Sequence, residues 1–87
     1  MNRRVQYEAG AQKAILRLPL DAQQHIRAKL LELERGHTEG LDIKKLRGRR
    51  NEWRLRVGDY RIVYRPPSAE GIIWILRVEQ RSDAYRW

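Results

Sequence analysis

The segment WRLRVGDYRIVY, from Trp53 to Tyr64, limits what this chain can fold into more than any other stretch. Trp53, Leu55 and Val57 alternate with Arg54 and Arg56, and Tyr60, Ile62 and Tyr64 alternate with Arg61 and Val63. A period of two is the signature of a strand with one buried face. Only Gly58-Asp59 separates the two runs, and a dipeptide beginning with Gly between alternating segments predicts a hairpin closed by a type II′ turn. So short a loop also dictates the register. Val57 must face Tyr60, Arg56 must face Arg61, Leu55 must face Ile62 and Trp53 must face Tyr64. A slip of one residue would carry every apolar side chain to the wrong face.

This register places Arg54, Arg56 and Arg61 together on the face opposite the apolar residues. Arg56 then lies directly across from Arg61, and like charges so placed destabilise a sheet by up to about 1 kcal/mol. Two readings follow. The arginines decorate a solvated face, balanced by Glu52 or Glu79, or they form a surface for phosphodiesters, each guanidinium being permanently charged and able to donate two parallel hydrogen bonds. The absence of a carboxylate between Trp53 and Asp59 favours the second. Just upstream, IKKLRGRR gathers Lys44, Lys45, Arg47, Arg49 and Arg50 around Gly48. These are either an ordinary soluble loop or a continuation of the arginine face that tracks a nucleic-acid backbone with salt-sensitive affinity.

Around the hairpin the pattern predicts the remaining elements. Val5 and Tyr7 alternate with polar neighbours as in a short strand. Ala11, Ala14, Ile15 and Leu18 then follow helical spacing up to Pro19, and Ala22, Ile26, Leu30 and Leu33 line a second helix that Gly36 ends. Asp21 and Gln24 have the form of a capping box for it. IIWILRV, apolar on both faces at first, reads as a strand covered on both sides or central in the sheet. The expectation is an α+β fold: two N-terminal antiparallel helices packed on a mainly antiparallel four-stranded sheet.

With 87 residues there is material for one core, so residues 1–87 are expected to be a single domain. Nineteen Lys and Arg against 11 Asp and Glu leave a formal charge of +8, which calls for an anionic partner. With no Cys, a disulfide framework, a thiolate metal site and a Cys nucleophile are excluded together. His25 and His37 stand in no HExxH or paired-carboxylate pattern, so no metal and no cofactor is expected. No apolar run approaches a membrane span of about 18 residues, and MNRRVQYE is no secretory signal, so a cytoplasmic location without membrane contact is expected.

KLRG at Lys45 to Gly48, WRLRVGDYRIVY, and VEQRSDAYR at Val78 to Arg86 together resemble, in order and spacing, the signature of RelE/ParE toxins of type II toxin–antitoxin systems, and most closely the RelE-type mRNA interferases. The resemblance spans essentially the whole chain and implies a RelE-like fold. It implies a metal-independent endoribonuclease that cuts messenger RNA in the ribosomal A site through attack of a ribose 2′-hydroxyl on the adjacent phosphate. Carried over by motif, the catalytic positions are Arg54, Arg56, Arg61, Arg81 and Tyr85. Arg61 and Arg81 would stabilise charge growing on the phosphate, and Arg54 and Arg56 would hold the substrate or assist. Tyr85 would stack on a base or move a proton, unless it is a tail aromatic packed on the core. For Arg81 the plainer alternative is a salt bridge to Asp83 or Glu79.

The chain departs from RelE itself in having arginine where RelE has lysine at positions 54 and 56, and from many relatives in having Gln80 in place of His. Arginine cannot give up its proton and glutamine does not titrate, so the general base is unassigned; Glu52, Glu79 and His37 are candidates without a motif. These departures keep two alternatives in play: a ParE-type toxin that inhibits DNA gyrase without nuclease activity, and a basic module that binds RNA without turnover. The partners implied are the ribosome and its messenger RNA and a cognate antitoxin, expected to be acidic, through which alone DNA would be contacted.

Overall fold

The hairpin lies at the heart of the sheet. In the computed structural model, which describes residues 3–48 and 50–81, strands β3 (Trp53–Val57) and β4 (Tyr60–Tyr64) pair antiparallel. Their register sets Val57 opposite Tyr60, Arg56 opposite Arg61, Leu55 opposite Ile62 and Trp53 opposite Tyr64, as the two-residue loop requires. Gly58 takes a positive φ of 58° while Asp59 does not, the pattern of a II′ turn rather than I′.

Around this pair the sheet has five strands, not four, in the order β1-β5-β4-β3-β2, with β1 (Arg4–Tyr7), β2 (Asp42–Lys45) and β5 (Ile72–Gln80). The extra strand, β2, pairs antiparallel with β3 and sits at an edge. It was hidden because only Ile43 of its four residues packs on the core, too short an alternation to separate from a basic loop. The sheet is mixed, because β1 runs parallel to β5. Alternation cannot reveal this, being the same for a strand read in either direction. β5 does take one of the two places expected for it, between β1 and β4.

Helices α1 (Ala9–Leu16) and α2 (Leu20–Glu34) supply Ala11, Ile15, Ile26, Leu30 and Leu33 to a core closed by Leu55, Val57, Ile62, Tyr64, Ile73 and Ile75 from the sheet. The capping box is not formed. Pro19 holds the N-cap position with no side-chain hydrogen bond, so Asp21 falls inside the first turn, where its charge still favours the helix dipole. Gln23 instead turns back, donating from Nε2 to the carbonyl of Leu18 at 2.9 Å and to that of Leu16, the last residue of α1, at 3.3 Å. At the far end Gly36 (φ 78°) donates to Leu33 O and His37 to Glu32 O, the paired bonds of a Schellman stop.

One irregularity matters for function. Val63 pairs with Arg77 and Tyr64 with Ile75, so Leu76 is an extra residue bulged out of β5. Ile73 and Ile75 point into the core, and strict alternation would send Arg77 and Glu79 after them. The bulge reverses the phase, turning Val78 inward and Arg77 and Glu79 to the open face.

Candidate nucleic-acid interface

The face of the sheet away from the helices is organised in rows across the strands. The first runs Asp42, Arg56, Arg61, Glu79 from β2 to β5, and the second runs Lys44, Arg54, Val63, Arg77. Adjacent rows lie about 7 Å apart, two residues along a strand. Arg56 and Arg61 do face each other, but each has a carboxylate as its other cross-strand neighbour, so the first row is balanced. The second row carries three cations and no acid. Its arginines draw their acids from outside the row, Arg54 from Asp42 and Arg77 from Glu79 and Glu52, so the two rows share their carboxylates. Val63, in the middle of this row, is fully buried although it lies outside the main core, flanked by Arg54 and Arg77.

Ion pairs hold these guanidiniums. Arg54 Nη1 donates to Asp42 Oδ1 at 2.8 Å and to the Asp42 carbonyl at 2.9 Å. Arg61 donates from Nε to Glu79 Oε1 at 2.7 Å and also contacts that oxygen through Nη2. Arg77 links Nε to Glu79 Oε2 and Nη2 to Glu52 Oε1, each at 3.2 Å. Glu52, Arg77, Glu79 and Arg61 thus form a chain from the residue before β3 through β5 to β4. The Arg54 and Arg61 side chains are only 16% and 18% exposed, so they are held rather than free to sweep through solvent.

The protonation of the acids follows from these contacts. Burial pushes the Glu79 carboxyl up, but the hydrogen bonds and charges of Arg61 and Arg77 together outweigh it and leave Glu79 below the ordinary value. Asp42 is lowered chiefly by its hydrogen bond from Arg54. On the other face, burial raises the Tyr64 hydroxyl to about 12. With both carboxylate oxygens occupied by guanidiniums, Glu79 is suited to orienting Arg61 and poorly placed to take a proton.

The residues singled out in the sequence are distributed as follows. Arg54, Arg56 and Arg61 share the open face as expected. Arg81 is brought beside them because its N–H donates to the carbonyl of Asp59 in the hairpin turn, at 2.7 Å. Lys44 joins the arginine face, but Lys45 does not continue it: as the cross-strand partner of Trp53 it belongs to the opposite face. Arg47 and Arg50 are exposed in the turn around Gly48, at the far end of the sheet from the hairpin tip. Tyr85 and Arg49 lie outside the described residues. The carboxylates that the hairpin lacks come from neighbouring strands, so the balancing role foreseen for Glu79 is real, and Asp42 shares it. Arg77 was missed altogether; its only signal is a cation interrupting an apolar run, and without the bulge its face could not be read. Among the described residues no group of three His, Asp or Glu could hold a metal ion, and no helix is long and apolar enough to cross a membrane.

A mixed sheet with two helices on one side and a ladder of guanidiniums on the other defines a small basic α+β class, and comparison with known proteins gives it a family. The profile described as "ParE toxin of type II toxin-antitoxin system, parDE" matches residues 5–85. The RelE chain of the archaeal RelE–RelB complex from Pyrococcus horikoshii OT3 is similar at 30% identity and a TM-score of 0.72, over 93% of this chain and 97% of that one. A chain of the RelB–RelE antitoxin–toxin complex from Methanococcus jannaschii is similar at 27% identity and 0.74, over 91% and 93%. A doubly substituted mutant of the E. coli toxin RelE in the free state shares the fold at 22% identity and 0.73, over 98% and 90%. A search of curated protein sequences returned no match. The chain belongs to the RelE/ParE superfamily and is a toxin of the type II toxin–antitoxin class.

Proposed function

We propose that this toxin is a ribosome-dependent endoribonuclease that cleaves messenger RNA in the A site, without metal, by attack of a ribose 2′-hydroxyl on the adjacent phosphate. The observation that carries the reading is the ladder of held guanidiniums, Arg54, Arg61 and Arg77, with Arg56 beside them and Arg81 pinned to the hairpin turn. A phosphorane-like transition state gains negative charge on its equatorial oxygens. Rigid donors already aimed at that charge stabilise it without reorganising. Arg61 and Arg81 act on the reacting phosphate, and Arg54, Arg56 and Lys44 hold the flanking backbone. The likeness to the RelE chain from Pyrococcus horikoshii, at 30% identity over nearly the whole chain, supports the choice of the RelE branch.

Proton transfer lies outside the arginine ladder, since a guanidinium keeps its proton at any physiological pH. Tyr85 is the residue proposed to stack on a base or to move that proton. The toxin is further proposed to be held inactive by a cognate antitoxin of acidic character. The +8 charge suits such a partner, and the archaeal RelE relatives were crystallised with RelB.

The experiment is to map cleavage ends on translating messenger. A 2′,3′-cyclic phosphate at A-site codons is expected, lost when Arg61 and Arg81 are both replaced by Ala. Cleavage persisting in the double variant refutes this site, and none in the parent chain refutes the nuclease. A second reading has its own support, because the matching profile is that of ParE toxins: inhibition of DNA gyrase without nuclease activity. Cell-free translation from a linear template separates the two, since an A-site nuclease stops it and a gyrase inhibitor leaves it running.

A further inference from the structure

Beyond the second row the open face changes character. The N–H of Arg65 donates to the carbonyl of Trp74 at 3.0 Å, and Trp74 pairs with Gln6 on β1, so Arg65, Trp74 and Gln6 form a third row. Trp74 is the only aromatic side chain that the register places on this face among the described residues; Tyr7, Trp53, Tyr60 and Tyr64 all pack on the helix side. Among the described residues no helix lies on its side of the sheet, and the residue is 38% exposed. A single exposed aromatic is ordinary on a protein surface. Trp74 differs from that background in its setting. It stands on an interior strand, paired on both sides, so its backbone is rigid. Arg65, its neighbour just past the end of β4, is exposed. The cation-rich row of Lys44, Arg54 and Arg77 is next to it, about 7 Å away, a step comparable to one nucleotide of an extended strand.

The bulge at Leu76 creates this arrangement. Trp74 and Arg77 are three apart in sequence, an odd separation that would put them on opposite faces of a regular strand. The extra residue brings both to the open face. Strand-borne aromatics beside guanidiniums are what single-stranded RNA requires, with a π-face for an unstacked base and fixed charges for the phosphates on either side.

We propose that Trp74 is a base-stacking platform for single-stranded RNA. The phosphate next to the stacked base lies on the Arg54–Arg77 row, and Arg65 serves the phosphate on the other side. The substrate thereby runs along β5 from the hairpin tip toward Trp74. This rests on the proposed RNA-directed function and adds to it a contact of another kind, because stacking on an uncharged ring is insensitive to salt where phosphate contacts are not.

The test uses the full chain and a fluorescently labelled single-stranded heptaribonucleotide at low ionic strength, with binding read by anisotropy. Trp74→Ala is expected to weaken binding about tenfold and Trp74→Phe to restore most of it. The tenfold loss in Trp74→Ala is expected to persist as salt rises, whereas the loss in Arg77→Ala shrinks. In a Trp53→Phe, Trp87→Phe variant, which leaves Trp74 as the sole tryptophan of three, bound RNA is expected to quench the emission. If Trp74→Ala binds RNA as the parent does while Arg77→Ala does not, the stacking proposal is wrong and the RNA-binding face survives. If Trp74→Ala weakens only the cognate antitoxin's binding, the indole belongs to a protein interface and the proposal is equally overturned. Absence of both RNA binding and messenger cleavage in the parent removes the nuclease reading, and this proposal with it.

Discussion

The two faces of the sheet are made from alternate residues of the same strands, yet different forces hold them. On the helix side Leu55, Ile62, Ile73 and Ile75 are completely or almost completely buried, each contributing roughly 1.5–3 kcal/mol through removal from water. On the open side Arg54, Arg61 and Arg77 are tied to Asp42, Glu79 and Glu52 by ion pairs that retain some solvent exposure, and such pairs contribute about 0–1 kcal/mol each. One face therefore supplies stability, while the other places charge at defined positions at little cost to folding. A substitution should reveal its face by which measurement it moves.

The largest stability effect is expected from Ile75→Ala on the helix side. Removing a fully buried side chain that both β1 and β4 pack beside should cost about 2–5 kcal/mol in chemical denaturation. A loss below about 1 kcal/mol would mean that the inner face is not the source of stability. Arg61→Ala is the counterpart on the open face. Cleavage of ribosome-bound messenger should fall about 100-fold, with no more than about 1 kcal/mol lost in denaturation. Equal damage to both faces would erase the distinction.

A subtler effect concerns Glu79. Its carboxyl is depressed when folded, so the unfolded chain binds more protons as pH falls past the ordinary value of 4.5. The stability it supplies is therefore full above that value and is lost as pH drops through the lower folded one. Glu79→Gln should be less stable than the parent by a constant amount between pH 6 and pH 8, with the gap closing under acid, as read by denaturation at each pH. At neutral pH the same variant should lower the cleavage rate and leave KM nearly unchanged if the carboxylate serves to orient Arg61. The smallest effect is expected from Lys44→Ser, within about 0.5 kcal/mol in stability because the side chain is exposed. Its signature is a shallower salt dependence of RNA binding, by about 0.7 in the logarithmic slope.

Much of this could be read in the chain itself, and the reasons are local. The hairpin register followed from the length of one turn and a period of two, both properties of neighbouring residues, and it carried the placement of Arg54, Arg56 and Arg61 with it. The helix faces followed from spacing, as did the stop at Gly36. The capping box failed because Pro19 took the N-cap and α2 began two residues earlier than expected, leaving Asp21 inside the first turn. β2 was missed because an edge strand with a single inward side chain leaves almost no periodic trace, and the split of Lys44 from Lys45 went with it.

What the sequence determined alone was thus the central hairpin, the two helices and the sign of the open face. Tertiary structure decided what joins that face. The parallel pairing of β1 with β5 sets Gln6 beside Trp74, the edge pairing of β2 sets Asp42 beside Arg56, and the bulge at Leu76 turns Arg77 and Glu79 away from the core. Each depends on contacts between residues far apart in the chain, and a bulge in particular exists only relative to the strand it pairs with. Alternation within β5 would have buried an arginine and a glutamate; pairing with β4 put them where the charge is used.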